Sequence, residues 1–180
     1  MRVEHVAARI RVLAEANIDD LFAYFVRRVA NRDEAADLIG ETMLVVWRRA
    51  KDAPSDELRA RMWMFGIARR VLLNHERGRR RRSDLALRIR ERITAETPNT
   101  YAGEEYEDVR RAVKLLPPKQ REVVLLVYGE GFSLLEVSRI TATSASTTRS
   151  RHAYALAALR QQLAPQTLQS FLPVGLNPES

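Results

Sequence analysis

The sequence predicts an all-α fold made of two small helical domains joined by a flexible linker. Apolar residues recur at spacings of three and four along most of the chain, which is typical of amphipathic helices. A polar segment of mixed charge with Pro and Gly breakers, residues 83–103, interrupts this pattern. Residues 116–163 then read as helices around a tight turn, a pattern that presents its last helix to DNA. We therefore expect a first domain over 1–82, a second over 104–163 and a tail over 164–180.

Composition narrows the class of protein. The 180 residues suffice for one medium or two small domains, and 46% of them are hydrophobic, which supports packed cores. The formal net charge of +7 and the pI near 10.3 favour a polyanionic partner such as nucleic acid. The absence of cysteine excludes disulfides, thiol catalysis and cysteine-ligated zinc, and it is compatible with the cytoplasmic location that we expect. We see no signal peptide and no apolar run of the roughly 20 residues that a membrane span needs, so we expect no membrane insertion.

Three helical segments are predicted in the first fifty residues. Residues 1–16 read as a helical lead-in, and Asp19 or Asp20 is a candidate cap for the second helix. The turn 31–33 caps a third helix, Glu34 to Ala50. The predicted core stripe of this third helix is Leu38, Ile39, Met43, Val46 and Trp47. Its opposite face carries Asp37, Gly40, Glu41, Leu44 and Arg48. Leucine is more apolar than a solvated face requires, so this face is either a partner surface or the edge of a broad core.

Residues 51–103 predict a loop, a long helix and the linker. Pro, Ser and Asp in 51–56 indicate a loop, and helical spacing then runs from Glu57 to Arg77. That helix interleaves aromatic and basic or polar side chains away from its apolar face, namely Trp63, Phe65, Arg69, Arg70 and Asn74. Such residues can stack on unpaired bases and hold phosphates, whereas the two aromatic residues are equally compatible with burial in the core. The arginine-rich run 77–82 begins the linker, as a solvated helix end or a phosphate contact.

The second domain begins with signals for two helices. The acidic cluster at 104–108 suits a helix N-terminus, where negative charge is favourable. Pro117 and Pro118 suit the first turn of the next helix, where a missing N–H costs nothing. Gly129 and Gly131 are predicted to end that helix.

The last two helices form the predicted DNA-binding motif. Ser133 and Glu136 make a capping box for a short helix, and Ser144 or Ser146 caps the final one. The inward stripe of the final helix is Ala145, Thr148, His152, Leu156, Leu159 and Leu163. Its outward side carries Ser146, Arg149, Ser150 and Ala153, flanked by Thr147, Arg151 and Tyr154. Small and basic residues on this side favour contacts with base edges and phosphates, and so a DNA-binding helix–turn–helix. The alternative interpretation is an ordinary helical hairpin with a solvated basic face.

Two sequence blocks resemble the extracytoplasmic-function (ECF) group of bacterial RNA polymerase sigma factors. Residues 37–47, Asp-Leu-Ile-Gly-Glu-Thr-Met-Leu-Val-Val-Trp, and residues 62–75, Met-Trp-Met-Phe-Gly-Ile-Ala-Arg-Arg-Val-Leu-Leu-Asn-His, are similar to region 2 of that family. Residues 116–124, Leu-Pro-Pro-Lys-Gln-Arg-Glu-Val-Val, with the helix–turn–helix after them, are similar to region 4. With their linker these blocks cover residues 17–163, which leaves no room for the extra domains of larger sigma factors.

The resemblance implies a transcription initiation factor that binds core RNA polymerase, recognises −35 and −10 promoter elements and helps to melt promoter DNA. Implied partners are the β′ clamp helices and the β flap of the polymerase, promoter DNA and an inhibitory anti-sigma protein. The implied clamp contacts are Asp37, Glu41, Leu44 and Arg48. The implied contacts to the −10 element and the non-template strand are Lys51, Asp56, Arg61, Trp63, Arg69, Arg70 and Asn74. The implied −35 contacts are Ser146, Thr147, Arg149, Ser150, Arg151 and Ala153.

The chain departs from the family pattern at three places. Gly40 stands where the family usually has Gln beside the acidic residue, and a helix-interior Gly costs roughly 1 kcal/mol. Thr141 and Ala142 replace the usual Leu-Gly, so Ala142 is expected to adopt the turn geometry that Gly normally supplies. His152 replaces an aliphatic residue on the inward face, and we expect a partly buried histidine there.

Two other functions fit parts of the sequence. A dimeric helix–turn–helix regulator acting without polymerase would explain residues 116–163 but not the acidic–apolar helix 34–50 or the aromatic–basic block 57–82. A protein-interaction module with a solvated basic surface is the second alternative. We expect no enzyme, no cofactor and no metal, because the sequence contains no nucleophile–base–acid set, no phosphate-binding loop and no cluster of metal ligands.

Overall fold

A computed structural model describes residues 2–89 and 107–163 of the chain. The chain divides into two compact units, residues 1–99 and residues 100–180. All regular secondary structure over the described residues is helical, and the all-α prediction is confirmed. Residues 90–103 of the predicted linker and the predicted tail 164–180 lie outside the described residues.

Three long helices build the N-terminal unit. They are α1 (Arg2–Val26), α2 (Arg32–Arg48) and α3 (Glu57–Ile89), and a short 3-10 turn, Ala50–Asp52, follows α2. Each of the three helices packs against the other two. Their shared core is dominated by fully buried side chains from all three, which are Ile10, Leu21, Tyr24, Phe25, Leu38, Val46, Met64 and Phe65.

Helix α1 is continuous, so the prediction of a lead-in ending at 16 and a new cap at Asp19 or Asp20 was wrong. No Pro or Gly interrupts residues 2–26, so nothing in the backbone ends the first helix. Asn17 is buried within it, and its side-chain amide donates to the carbonyl of Leu13 one turn earlier at 2.8 Å. A residue that often caps or turns is thus accommodated inside the helix.

An aromatic cluster joins α1 to α3. The Tyr24 ring meets the rings of Phe25 and Phe65 edge-on, with centroids 5.2 and 5.6 Å away and interplanar angles of 79° and 87°. Edge-to-face pairs of this kind add to the free energy gained from burial alone. Phe65 is therefore a core residue, which decides the alternative that its spacing left open.

Helix α2 begins and ends close to the predicted bounds. Asn31 is its N-cap, and the Asn31 side-chain oxygen accepts from the backbone N–H of Glu34 at 2.8 Å. The buried residues of the helix are Ala35, Leu38, Thr42 and Val46. Trp47 was predicted in the core, but its side chain is 44% exposed. Ile39 and Met43 are only half-buried, so the core stripe is narrower than predicted and is centred on the line from Ala35 to Val46.

Helix α3 runs twelve residues past the predicted end at Arg77, to Ile89. The first part of the predicted linker 83–103 is therefore helical, and the prediction of a helix end before it was wrong. The physical reason is composition, since Arg, Leu and Ala in 79–89 are good helix formers. One glycine, Gly78, costs only about 1 kcal/mol and does not end the helix.

The C-terminal unit has four α-helices among its described residues. They are α4 (Glu107–Leu115), α5 (Pro118–Val124), α6 (Leu134–Thr141) and α7 (Ala145–Gln162), with a π-helical turn, Leu125–Gly129, after α5. Pro117 is the N-cap of α5 and Pro118 lies in its first turn, as predicted. One apolar cluster joins α4, α5 and α7, and it consists of Val109, Ala112, Val113, Leu116, Val124, Ala155, Leu156, Leu159 and Leu163.

Candidate nucleic-acid and protein interfaces

The turn between α6 and α7 fixes where α7 begins. Ala142 adopts the left-handed conformation, with φ 52° and ψ 48°, which confirms that it takes over the geometry usually supplied by glycine. A chain of hydroxyl hydrogen bonds then links Thr141 to Thr143 and Thr143 to Thr148, each at 2.9 Å. Thr148 is fully buried, so this chain ties the first turn of α7 to the end of α6.

Both caps of the helix–turn–helix are formed. At α6 the capping box is present, with the Ser133 N–H donating to the Glu136 carboxylate at 2.8 Å and the reciprocal bond at 3.4 Å. At α7 the cap is Ser144, not Ser146: the Ser144 hydroxyl oxygen accepts from the backbone N–H of Thr147 at 3.1 Å. The sequence left that choice open, and the structure decides it.

The outward side of α7 is a small, basic and hydroxylated surface. Ser146, Arg149, Ser150 and Ala153 are exposed, and Thr147 and Arg151 are half-buried beside them. The structure therefore brings together all six predicted −35 residues on the first half of one helix. Tyr154, which the predicted set omitted, is 67% exposed one turn after Ser150. The sequence could have indicated this, because Tyr154 follows Ser150 at i, i+4 spacing, which places both residues on the same side of a helix.

His152 lies inside the unit behind this surface. It is 5% exposed, its Nε2 and the Tyr128 hydroxyl share a hydrogen bond of 2.8 Å, and the two rings stack at 26°. Burial, with a smaller contribution from the positive charge of Arg160, lowers the pKa of His152 below its usual value of 6.5. Burial likewise raises the pKa of the Tyr128 phenol. The sequence predicted a partly buried histidine, and the structure shows His152 more fully buried than that. At neutral pH it is uncharged and links α7 to the π-helical turn.

The outer face of α2 combines carboxylates with apolar surface. Asp37, Glu41, Leu44 and Arg48 recur at spacings of four, three and four, and all four are exposed. Leu44 is 57% exposed, and the exposed Trp47 extends the same apolar surface. These side chains line one side of a rigid helix, and sequence reasoning missed Trp47 because a tryptophan at helical spacing is usually core.

The loop between α2 and α3 is held from both sides. The Arg9 guanidinium of α1 donates to the carbonyl of Ala53 at 2.7 Å. The Asp56 carboxylate accepts from the backbone N–H of Arg59 at 2.8 Å and so caps α3. Lys51 is exposed, two residues before the first of these two anchor points. The predicted flipped-base loop is thus presented by a fixed backbone.

The predicted −10 residues on α3 do not form one cluster. Trp63, Arg70 and Asn74 lie on one side of the helix, at spacings of seven and four. Arg61 lies on nearly the opposite side, where its guanidinium pairs with Asp20 of α1 at 2.9 Å. Arg69 is half-buried, and the indole N–H of Trp63 is buried, without a hydrogen-bond partner among the described residues. Trp63 therefore offers part of its ring rather than its N–H to a ligand.

Two classes of site receive no support from the described residues. Over 2–89 and 107–163, no three His, Asp or Glu side chains lie close enough together to hold a metal ion. Within the same residues, no helix combines the length and the apolar character needed to cross a membrane.

Comparison with known families gives two matches, one in each unit. Residues 13–82 match the family model for sigma-70 region 2, and residues 112–161 match the model for sigma-70, region 4.

Individual relatives match across both regions. The chain is 31% identical over 137 residues to the ECF RNA polymerase sigma factor EcfG of Rhodopseudomonas palustris (strain TIE-1), which covers 76% of this chain and 75% of that protein. It is 26% identical over 163 residues to the ECF RNA polymerase sigma factor SigL of Mycobacterium tuberculosis, with coverage of 87% and 90%.

Solved structures with a similar fold include a sigma factor and a second protein, each bound to a protein partner. The sigma factor RpoE, in complex with the anti-sigma factor NepR from Bartonella quintana, gives a TM-score of 0.64 at 23% identity and covers 87% of this chain and 94% of that one. CnrH, in complex with the cytosolic domain of CnrY, gives 0.60 at 20% identity, with coverage of 84% and 85%. At these identities the likeness concerns the fold.

Proposed function

The chain belongs to the sigma-70 family, in its ECF group, and from this membership we propose that three exposed helix faces divide the work of transcription initiation. The protein is a transcription initiation factor that binds RNA polymerase and promoter DNA. The observation that carries the proposed division is the pairing, in one chain, of an exposed acidic–apolar face on α2 with a capped, basic α7.

The α2 face docks on the β′ clamp helices of the polymerase. Asp37 and Glu41 supply negative charge for a basic partner surface, and Leu44 supplies apolar area. Trp47 adds a large aromatic side chain, a residue type that is enriched at the energetic centres of protein interfaces. Leu44 and Trp47 are exposed three residues apart on one helix, and adjacent apolar side chains rimmed by polar residues are typical of protein-binding surfaces.

Helix α7 reads the −35 element in the major groove. The exposed Arg149 contacts a guanine edge or a phosphate, and the small Ser150 and Ala153 allow the helix to approach the bases closely. The caps and the threonine network fix the start of the helix, so that the direction of these side chains is set before DNA binds. The remaining contacts of this unit are to the β flap.

The loop 51–56 and α3 hold the melted −10 element. The loop accepts a flipped base while the exposed side of Trp63 stacks, and Arg70 and Asn74 follow the non-template strand. Capturing an unstacked base offsets a few kcal/mol of unstacking, which is how a protein without a catalytic group promotes melting. Arg61, engaged with Asp20, supports this helix by joining it to α1.

An anti-sigma protein is the proposed inhibitor. One solved structure with this fold is in complex with an anti-sigma factor. A second is in complex with the cytosolic domain of another protein. The exposed apolar surface that polymerase uses on α2 is a suitable target for competition, because a binder that covers Leu44 and Trp47 excludes the clamp.

A charge reversal on α2 tests the polymerase contact. We expect Asp37→Arg with Glu41→Arg to weaken binding to bacterial core polymerase by at least about tenfold, roughly 1.4 kcal/mol, because two attractive charges become repulsive. The affinity of each variant for core polymerase is measured by the concentration of unlabelled variant that displaces the labelled wild-type protein from core polymerase.

The matched control is Glu15→Arg with Asp19→Arg. These residues are exposed on α1 at the same i, i+4 spacing, so the change in net charge is identical. Core binding by this control should equal that of the wild type. Equal losses of affinity in both double variants would mean that overall charge, and not the α2 face, governs binding, and the assignment would fail.

A further inference from the structure

A basic stripe on α3 extends beyond the residues assigned to the −10 element. Because α3 continues as helix to Ile89, residues 77–81 remain in helical register with the preceding turns. The stripe, defined by spacings of seven, four, three and four, consists of Trp63, Arg70, Asn74, Arg77 and Arg81. At about 1.5 Å per residue it is roughly 27 Å long.

We propose that Arg77 and Arg81 are additional DNA-binding residues, which contact phosphates of the same promoter DNA that the first half of the stripe holds. This inference rests on the proposed function of α3 and extends its binding face by two helical turns. Both guanidinium groups belong to exposed side chains, and they follow Arg70 and Asn74 on one side of the helix. A continuous row of basic and polar groups at this spacing fits a polyanionic backbone.

The placement distinguishes these two arginines from their neighbours. Arg79 is also exposed, but its position lies on nearly the opposite side of α3. If the arginine-rich run 77–82 were only a solvated helix end, each of its arginines would contribute equally to DNA binding. The stripe predicts instead that the position of an arginine around the helix determines whether it contributes to DNA binding.

The energetics of this helix segment favour an anionic occupant. Arg77 has Arg80 and Arg81 as neighbours at i+3 and i+4, and like charges at these spacings destabilise a helix. Gly78 lowers the stability of this helix segment further, because glycine is a poor helix former. Glu76, four residues before Arg80, offsets part of the repulsion. Phosphates alongside the stripe would relieve the remaining repulsion.

The test measures DNA binding by the full chain at several salt concentrations, with fluorescein-labelled oligo(dT) and a mixed-sequence duplex as probes. Removing one side chain that binds a phosphate lowers the slope of log K against log salt by about 0.7 on a single strand or about 0.9 on a duplex. We expect Arg77→Ala and Arg81→Ala each to lower the slope by this amount, and Arg79→Ala to leave it unchanged. A lower slope on oligo(dT) assigns the phosphate to the melted strand, and a lower slope on the duplex assigns it to the paired DNA beside it.

A second readout is hydrogen exchange. Amides of residues 77–89 should exchange more slowly when DNA is bound to the wild type, and this protection should disappear in Arg77→Ala with Arg81→Ala. Equal slopes for Arg77→Ala and Arg79→Ala, no change in any variant, or no binding of the wild type to either probe at low salt would overturn the proposal. None of these results depends on polymerase, so failure of the proposed role in transcription would be seen separately, in the core-binding assay.

Discussion

At the scale of single residues, the C-terminal unit shows how a departure from a family pattern is accommodated. His152 occupies an aliphatic position, yet it keeps the core intact because Tyr128 satisfies its Nε2 and stacks on its ring. Ala142 differs, because its left-handed conformation itself costs an L-residue roughly 1–2 kcal/mol, whatever its neighbours contribute. The two departures therefore make different predictions for stability.

Replacing Ala142 by glycine should stabilise the protein. Ala142→Gly removes the strain of the left-handed conformation and is expected to raise the free energy of unfolding by about 1 kcal/mol, measured by urea denaturation. Ala157→Gly, at an exposed position inside α7, should lower it by about the same amount, because that site is helical. A loss of stability in Ala142→Gly would show that the turn does not carry this strain.

His152 predicts a pH dependence of stability. Its folded-state pKa lies below 6.5, so the unfolded chain binds the proton more readily than the folded protein does. The stability that neutral His152 contributes is complete above pH 6.5 and is lost as the pH falls below that value towards the lowered folded pKa. Of the groups that face it, Tyr128 stays neutral in this range and Arg160 stays charged.

The measurement is the thermal unfolding of the full chain at several pH values below 7. We expect the melting temperature of the wild type to fall more steeply with decreasing pH than that of His152→Leu, which has no proton to gain. Parallel curves would contradict the conclusion that a buried, neutral His152 matters for folding.

At the scale of elements, α2 and α7, the helices proposed to bind polymerase and the −35 element, differ in how they are stabilised. Helix α7 is fixed by its Ser144 cap and the Thr148 hydroxyl, which act through hydrogen bonds at its start. Helix α2 has a comparable cap at Asn31 but carries Gly40 in its interior, on the exposed side. A Cβ built at Gly40 would meet nothing within 4 Å, so packing does not require the glycine.

Gly40→Ala is accordingly expected to raise the free energy of unfolding by about 0.5–1 kcal/mol, since alanine is the better helix former. Chemical denaturation of the full chain followed by tryptophan fluorescence reports on this unit, because both tryptophans, Trp47 and Trp63, lie in it. The contrasting variant is Gly131→Ala in the C-terminal unit, where φ is +74° and the change should destabilise; because this unit has no tryptophan, its unfolding is followed by far-ultraviolet circular dichroism. If Gly40→Ala were destabilising, the geometry of α2 at this point would have to differ from a regular helix.

The elements themselves were largely predictable, and their ends were not. The residue type at a cap or a turn largely determines its local conformation. For this reason the structure agrees with the predicted caps at Asn31 and Ser133, the predicted helix start at Pro118 and the predicted turn geometry of Ala142. The continuity of α1 and the extension of α3 depend on the absence of a breaker, which polar residues such as Asn17 or the arginine run conceal. The exposure of a side chain is still harder to predict, because helical spacing alone does not distinguish a core tryptophan from a partly exposed one such as Trp47.

At the scale of the whole molecule, the proposed function combines one protein-binding face with DNA-binding faces and needs no catalytic group. Each contact is modest by itself, since a bidentate contact to a base contributes about 1–3 kcal/mol and an exposed ion pair about 0–1 kcal/mol. Linking them to one polymerase raises the effective concentration of each face at the promoter. This predicts that loss of any one face removes promoter-specific initiation even while the other faces still bind.

The most direct test is transcription in vitro by bacterial core polymerase on genomic fragments, with and without this protein. We predict promoter-specific transcripts that require the wild-type protein, disappear with Asp37→Arg and Glu41→Arg, and are strongly reduced by Arg149→Ala but not by Arg111→Ala, an exposed arginine on α4. If no transcript appeared, and the protein alone protected a palindromic site, it would be acting as a dimeric regulator without polymerase, and the central claim would be contradicted.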